Sequence, residues 1–255
     1  MYTSWLSSQP ARHDWDRWVM MGLIGFFTGI TGFLLHQIID VIADCKWRFA
    51  KHFVTESDFG LAWLTACSYS LLFVLISTAL VVFLRPSAAG SGMPELIGFL
   101  NGTMIRHIFN VKTYVVKFVS CSLAVGAGMP IGPEGPMIHL GSLVGAGLSQ
   151  AQSKTLNIKL PFFERFRNSE DRRNFISAGA AAGIASAFGA PVGGLLFAME
   201  EVSSFWSMSL SWQVLFCSMV STFTTDLFNS AFTGFVYTGD FGQFKTDKYI
   251  LFQID

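Results

Sequence analysis

Long uncharged runs along this chain are separated by short clusters of glycine, proline and charge. Residues 59–84 and 174–199 contain no Asp, Glu, Lys or Arg, and residues 18–39 contain His36 as their one titratable side chain. A helix needs about 20 apolar residues to cross a bilayer, so each run is long enough to span. The pattern predicts seven or eight helical segments. The first, over residues 17–52, is apolar to about Ile39 and then amphipathic, with Asp40, Asp44, Lys46, Arg48 and Lys51 marking its emergence at a surface. A turn at 55–60 leads to a span over 61–84, stopped by Arg85-Pro86. A glycine-rich loop at 88–94 opens a helix that ends near Leu100 and is too short to cross. Helices follow over 111–128 and from about Gly135 to Gln150. Residues 174–189 are rich in small side chains (SAGAAAGIASAFG), which lets helices approach closely in lipid. Pro191 restarts a helix that ends at Glu200-Glu201, and a last span covers about 210–228.

Composition turns this pattern into a membrane protein. Of 255 residues, 51% are hydrophobic and 13% charged, and the mean hydropathy is +0.47. A formal net charge of zero gives nucleic acid no attractive surface. Residues 151–173 concentrate Lys154, Lys159, Arg165, Arg167, Arg172 and Arg173, and the positive-inside rule makes that loop cytoplasmic. The N-terminal 1–16 read as a cytosolic lead: the run behind them is about twice the length of a signal-peptide core and lacks a small-residue cleavage pattern. The membrane domain is then 17–229, and 230–255 a polar, aromatic-bearing tail. Cys45, Cys67, Cys121 and Cys217 lack metal-ligand spacing and read as small buried hydrophobes.

The chemistry gathers at the breaks. AGMPIGPEGPMIHLG at 127–141 sets Glu134 between two Gly-Pro steps. A carboxylate at membrane depth is costly, and it commonly faces a cavity, a partner or an ion. Broken backbone is tolerated there only where its freed N–H and C=O groups are covered by protein or line a polar cavity. Three helices begin just after such breaks, at GSGMPE (90–95), GPEGP (132–136) and FGAPVGG (188–194). A helix start carries about half a positive charge and unpaired N–H donors, which suits an anion. Transporters build midplane sites from discontinuous helices in this way. Ser91 can donate its hydroxyl to an anion while Gly90 and Gly92 allow close backbone approach, although Ser91 serves equally as a helix cap. Glu134 also fits as a simple complement to a helix dipole, and Glu200-Glu201 as two carboxylates at a span's cytoplasmic end.

The ordered set GSGMPE, GPEGPMIHLG and SAGAAAGIASAFGAPVGGLLFAMEE resembles the CLC family of chloride channels and chloride/proton exchangers, across about residues 15–245. The wording of the last motif is most similar to the endosomal and lysosomal branch. The resemblance implies an all-α polytopic membrane fold with re-entrant helices, the first of two inverted repeats. It implies a chloride-coordinating Ser91, flanked in the anion site by Gly90, Gly92, Gly132 and Gly135. It implies a gating role for Glu134, which occupies an anion site when ionised and carries a proton when neutral. Glu201 matches the internal proton glutamate of exchangers, with Glu200 assisting. No cofactor is implied: the transported species are chloride and protons, and the partners are the lipid bilayer and a second copy or a complete CLC subunit.

Two features depart from the family pattern. Pro133 stands where most members carry Lys or Arg, though proline suits a helix's first turn. The second repeat, with its further anion-facing helix ends, has no counterpart in the sequence given. Three readings follow: half of a chloride/proton antiporter, an uncoupled chloride channel, which Glu201 disfavours, or a truncated, non-conducting membrane subunit. An enzyme is disfavoured, since the Gly-rich breaks lack the strand context of a phosphate loop.

Overall fold

A computed structural model describes residues 15–55, 58–103, 105, 108–150, 152–153, 158–159, 166, 168–233 and 236–237. The expected cytosolic lead, most of the basic loop and most of the tail lie outside the described residues. Among the described residues the chain forms eight α-helices: α1 Trp15–Thr55, α2 Phe59–Ala79, α3 Met93–Leu100, α4 Val111–Gly126, α5 Glu134–Gln150, α6 Ser169–Phe188, α7 Pro191–Phe197 and α8 Met208–Ala231. A π turn, Leu80–Leu84, prolongs α2, and another, Ala198–Val202, prolongs α7. Two antiparallel ribbons of two-residue strands, β1 Gln152–Ser153 with β2 Ile158–Lys159 and β3 Phe232–Thr233 with β4 Val236–Tyr237, leave the all-α class intact.

Helix lengths sort the elements by what they can cross. The 41 residues of α1 extend about 60 Å at 1.5 Å per residue, twice the hydrocarbon thickness of a bilayer. With only eight residues, α3 reaches about 12 Å and stops inside. By length and composition α1 and α2 are both able to span.

The centre is α6, whose residues Phe175–Ser186 are buried almost without interruption. Small side chains make this possible, because α5 and α6 meet backbone to backbone. A Cβ on Gly141 would strike the Gly179 carbonyl, one on Gly179 would strike Gly141, and one on Gly183 would sit 2.5 Å from the Met137 oxygen. On the other flank, α1 lies against α8 through Gly25 and Gly29; a Cβ on Gly29 would come within 2.6 Å of the Ser221 oxygen. Hydroxyls tie these helices where lipid supplies no hydrophobic drive. Thr225 donates to the Gly29 carbonyl at 3.1 Å, Ser221 to Ala182 at 3.0 Å, and Ser186 and Thr225 share a bond of 2.7 Å.

Several expectations are corrected. The expected break in the uncharged run 174–199 is present, since Gly189, at φ +64, ends α6 and α7 starts anew at Pro191, whereas other boundaries move. Glu170 to Arg173, expected in the basic loop, form the first turn of α6. The last helix continues to Ala231, and β3 and β4 pair within the expected tail. Cys121 and Cys217 are buried, but Cys45 and Cys67 are exposed, because they lie on outer faces of α1 and α2.

Candidate functional site

Two of the three breaks meet. The GSG turn places Gly90 at φ +65 and Gly92 at φ +79, left-handed conformations that favour glycine, and Gly92 caps the start of α3. Ser91 Oγ accepts a hydrogen bond from the Met93 amide at 3.4 Å. Capping uses an oxygen lone pair, so the hydroxyl proton stays available to an anion. Gly92 rather than Ser91 holds the N-cap position, so the expected cap role of Ser91 reduces to this one bond. Facing this turn, α5 begins at Glu134, with the Met137 amide donating to the Pro133 carbonyl at 2.9 Å. A Cβ on Gly135 would lie 2.8 Å from Ser91 Cβ, so the turns pack directly on one another. The Glu134 carboxyl folds back over Gly132, with its Cδ 2.6 Å from where a Cβ would stand. Ser91, Gly92, Gly132, Glu134 and Gly135 thus form one cluster, while Gly90 faces open space.

Beneath that cluster lies a buried polar pair with no expectation attached to it. Lys117 of α4 is 1% exposed and His139 of α5 0%, and Lys117 Nζ is 2.8 Å from His139 Nδ1. Gly92 rests on both: a Cβ there would lie 2.6 Å from Lys117 Nζ and 2.7 Å from His139 Cγ. Glu95 of α3 acts on the Lys117 charge, and Cys121, one turn along α4, lies within electrostatic reach of both Lys117 and Glu134. One sequence signal pointed here. Between Lys112 and Glu134, Lys117 is the single Asp, Glu, Lys or Arg, and an ionisable residue alone in an apolar helix is a functional candidate by default.

The other candidates stand apart. Glu200 and Glu201 occupy the π turn after α7 and are exposed. Val202 of that turn packs with Leu96 and Leu100 of α3. The glutamate pair therefore sits by the far end of the helix that starts at Gly92, about 12 Å of helix away from the Ser91 turn. The third break does not join the cluster either; α7 rests mainly on α6 and α8, with Phe188 63% and Val192 58% exposed.

The end of the molecule remote from Glu134 is locked separately. Arg17 at the start of α1 is ion-paired with Asp171 in the first turn of α6. Arg172 lies over two aromatic faces, 5.3 Å from the Phe99 ring centre and 5.7 Å from that of Phe109. No group of three or more His, Cys, Asp or Glu able to hold a metal occurs among the described residues.

Broken helices that start against one another inside an α-helical bundle, beside helices long and apolar enough to span, are the features of a discontinuous-helix membrane protein fold. The sequence matches the family described as "Voltage gated chloride channel" over residues 72–254, and the chain belongs to that family. It is 46% identical over 224 residues to chloride channel protein D of Dictyostelium discoideum, covering 88% of this chain and 22% of that protein. Against human H(+)/Cl(-) exchange transporter 7 it is 40% identical over 242 residues, 91% of this chain and 30% of the relative. The chain therefore spans about a fifth to a third of the length of the curated relatives it matches. Its fold aligns with a crystal structure of a slow cyanobacterial Cl-/H+ antiporter at a TM-score of 0.70 and 27% identity, over 82% of this chain and 46% of that one. A eukaryotic CLC transporter structure aligns with a TM-score of 0.71 at 22% identity, over 83% and 38% of the two chains, a likeness of fold.

Proposed function

We propose that this segment supplies the gate and part of the anion pathway of a chloride/proton antiporter. The observation that carries the reading is the direct packing of the GSG turn on Gly135, next to Glu134, whose carboxyl folds back over Gly132. Two helix starts and one ionisable group then share one small space. A chloride and a carboxylate cannot both occupy a dehydrated site lined by the same N–H donors, so they compete. Protonation removes the charge on Glu134 and releases the site to the anion. Ser91 donates its hydroxyl to chloride, Gly90 and Gly92 bring the backbone close, and Gly132 leaves room for the carboxyl to move. Glu201, with Glu200 beside it, takes protons at the other end of α3. The segment acts within a longer chain or beside a complete subunit, as a dimer, in an endosomal or lysosomal membrane.

Simultaneous chloride and proton flux from liposomes holding the full-length protein tests this. Glu134→Ala should abolish proton movement and leave passive chloride flux. Glu201→Ala should block protons alone. Continued coupled transport in either variant refutes the corresponding role, and chloride flux without any proton movement in the unmodified protein would select an uncoupled channel.

A further inference from the structure

The carbonyl at the C-terminal end of α4 is held by two other helices. Ala127, the capping residue, is 1% exposed. Its oxygen accepts hydrogen bonds from Lys46 Nζ of α1 at 3.0 Å and Ser70 Oγ of α2 at 2.8 Å. Both acceptor positions of that oxygen are filled. A helix C-terminus favours a cation, and here α1 delivers it. The two donor helices are themselves joined at this level, since Tyr69 donates its hydroxyl to the Ile42 carbonyl at 3.0 Å.

The neighbours of Ala127 are shaped to the same contact. A Cβ on Gly126 would lie 2.7 Å from Ile42 Cβ, and one on Gly128, which turns at φ +89, would lie 2.9 Å from Lys46 Nζ. From Gly128 the chain runs directly through Met129 and Ile131, 39% and 49% exposed, to Glu134. The backbone ties along this stretch are local: Met129 N to Ala124 O at 3.4 Å and Ile131 N to Met129 O at 2.7 Å. A cavity of about 230 Å³ between α1 and α2, lined by Lys46, Phe49, Phe53, Tyr69 and Leu72, leaves Lys46 room to swing away without repacking the core.

We propose that Lys46 and Ser70 are positioning residues for the gate: their joint grip on the Ala127 carbonyl anchors the root of the 128–133 loop and so fixes where the Glu134 carboxylate sits. This rests on the gating role proposed for Glu134. Of the titratable groups on the neighbouring helices, Cys121 of α4 lies within electrostatic reach of Glu134 and of Lys117, Glu95 of α3 acts on that lysine, and His139 of α5 contacts it at 2.8 Å. Lys46 shares its cavity with Tyr69 of α2. A loosened loop seats the ionised carboxylate less well, so chloride displaces it with less help from protonation.

The test is chloride efflux against pH from liposomes holding the full-length transporter, with each substitution made alone and combined with Glu134→Ala. Lys46→Met should raise the pH of half-maximal flux by about half a pH unit, equivalent to ~0.7 kcal/mol at 1.36 kcal/mol per unit. Ser70→Ala should move it the same way by less, since Lys46 still fills one bond, and Lys46→Arg should restore the original profile. In the Glu134→Ala background neither substitution should change the profile. Unaltered profiles for Lys46→Met and Ser70→Ala overturn the proposal, as does a uniform loss of flux that persists without Glu134. If Lys46→Met does not accumulate, Ser70→Ala decides alone. Failure of Glu134→Ala to uncouple protons would instead count against the gating role itself.

Discussion

Gly90→Ala and Gly92→Ala begin from nearly the same backbone and should end far apart. At φ +65 and +79, both positions carry the left-handed penalty once a Cβ is present, about 1–2 kcal/mol. For Gly90 that is the whole cost, because nothing stands within 4 Å of the new methyl group. For Gly92 the methyl group would land on the Lys117–His139 contact, 2.6 Å from a buried ammonium that has no open space to retreat into. Overpacking at such a point adds about 1–3 kcal/mol, so the total loss for Gly92→Ala is about 2–5 kcal/mol. Relief of the clash requires the GSG turn to lift, which moves Ser91 from Gly135 and weakens chloride binding. Thermal melting of the solubilised full-length variants, followed by chloride titration calorimetry, separates the two positions: Gly92→Ala should melt well below Gly90→Ala and bind chloride more weakly. Equal melting and equal chloride affinity would refute the idea that Gly92 is there for space above the polar pair.

Gly141→Ala should destabilise by about 3 kcal/mol or more, since its Cβ overlaps a backbone carbonyl of α6 that cannot rotate away, whereas Gly147→Ala on the exposed face of the same helix should stabilise by about 0.5–1 kcal/mol; melting temperatures compare them. Asp171→Ala leaves the Arg17 guanidinium, 17% exposed, without its partner and should cost about 3–5 kcal/mol, most of which Arg17→Met combined with Asp171→Leu recovers in a double-mutant melting cycle. His139→Phe removes an acceptor from a buried ammonium, a loss of about 1.5–3 kcal/mol in melting experiments, and adding Lys117→Met should reverse it.

What could be read ahead of the structure follows from where each signal resides. Helix positions lie in local hydrophobic pattern, so α1, α2 and α8 were legible to within a few residues. The breaks at 90–94 and 132–136 were legible because glycine and proline mark them chemically. Within residues 174–199 apolarity alone would run on as one span, and it is the Gly189–Pro191 chemistry that marked the break and restart that the structure has. The contacts that give the site its character were not legible. Lys117 meets His139 across 22 positions and Arg17 meets Asp171 across 154, and no periodicity within one helix encodes either. Cys45 and Cys67 were misjudged for a related reason: in lipid an outer helix face is as apolar as a core, so hydrophobic neighbours do not imply burial.

The buried charges also bear on the missing basic residue before Glu134. At the proposed anion site Pro133 stands where the family pattern has a cation, yet Lys117 remains close behind the GSG turn. That cation does not act alone: Glu95 of α3 acts on it with the opposite charge, and His139 Nδ1 accepts one of its N–H hydrogen bonds. An opposing carboxylate reduces the net field of that lysine at the proposed chloride position. In the proposed site the remaining attraction comes from the N–H groups at the starts of α3 and α5 and from the Ser91 hydroxyl, which are dipoles rather than charges. Dipolar sites hold an anion less tightly than a cation would and let it leave again, as transport requires. On this argument Pro133→Lys should tighten chloride binding in calorimetry and slow its turnover in liposomes. Tighter binding with faster flux would show that the field of full charges, and not the helix starts, limits passage.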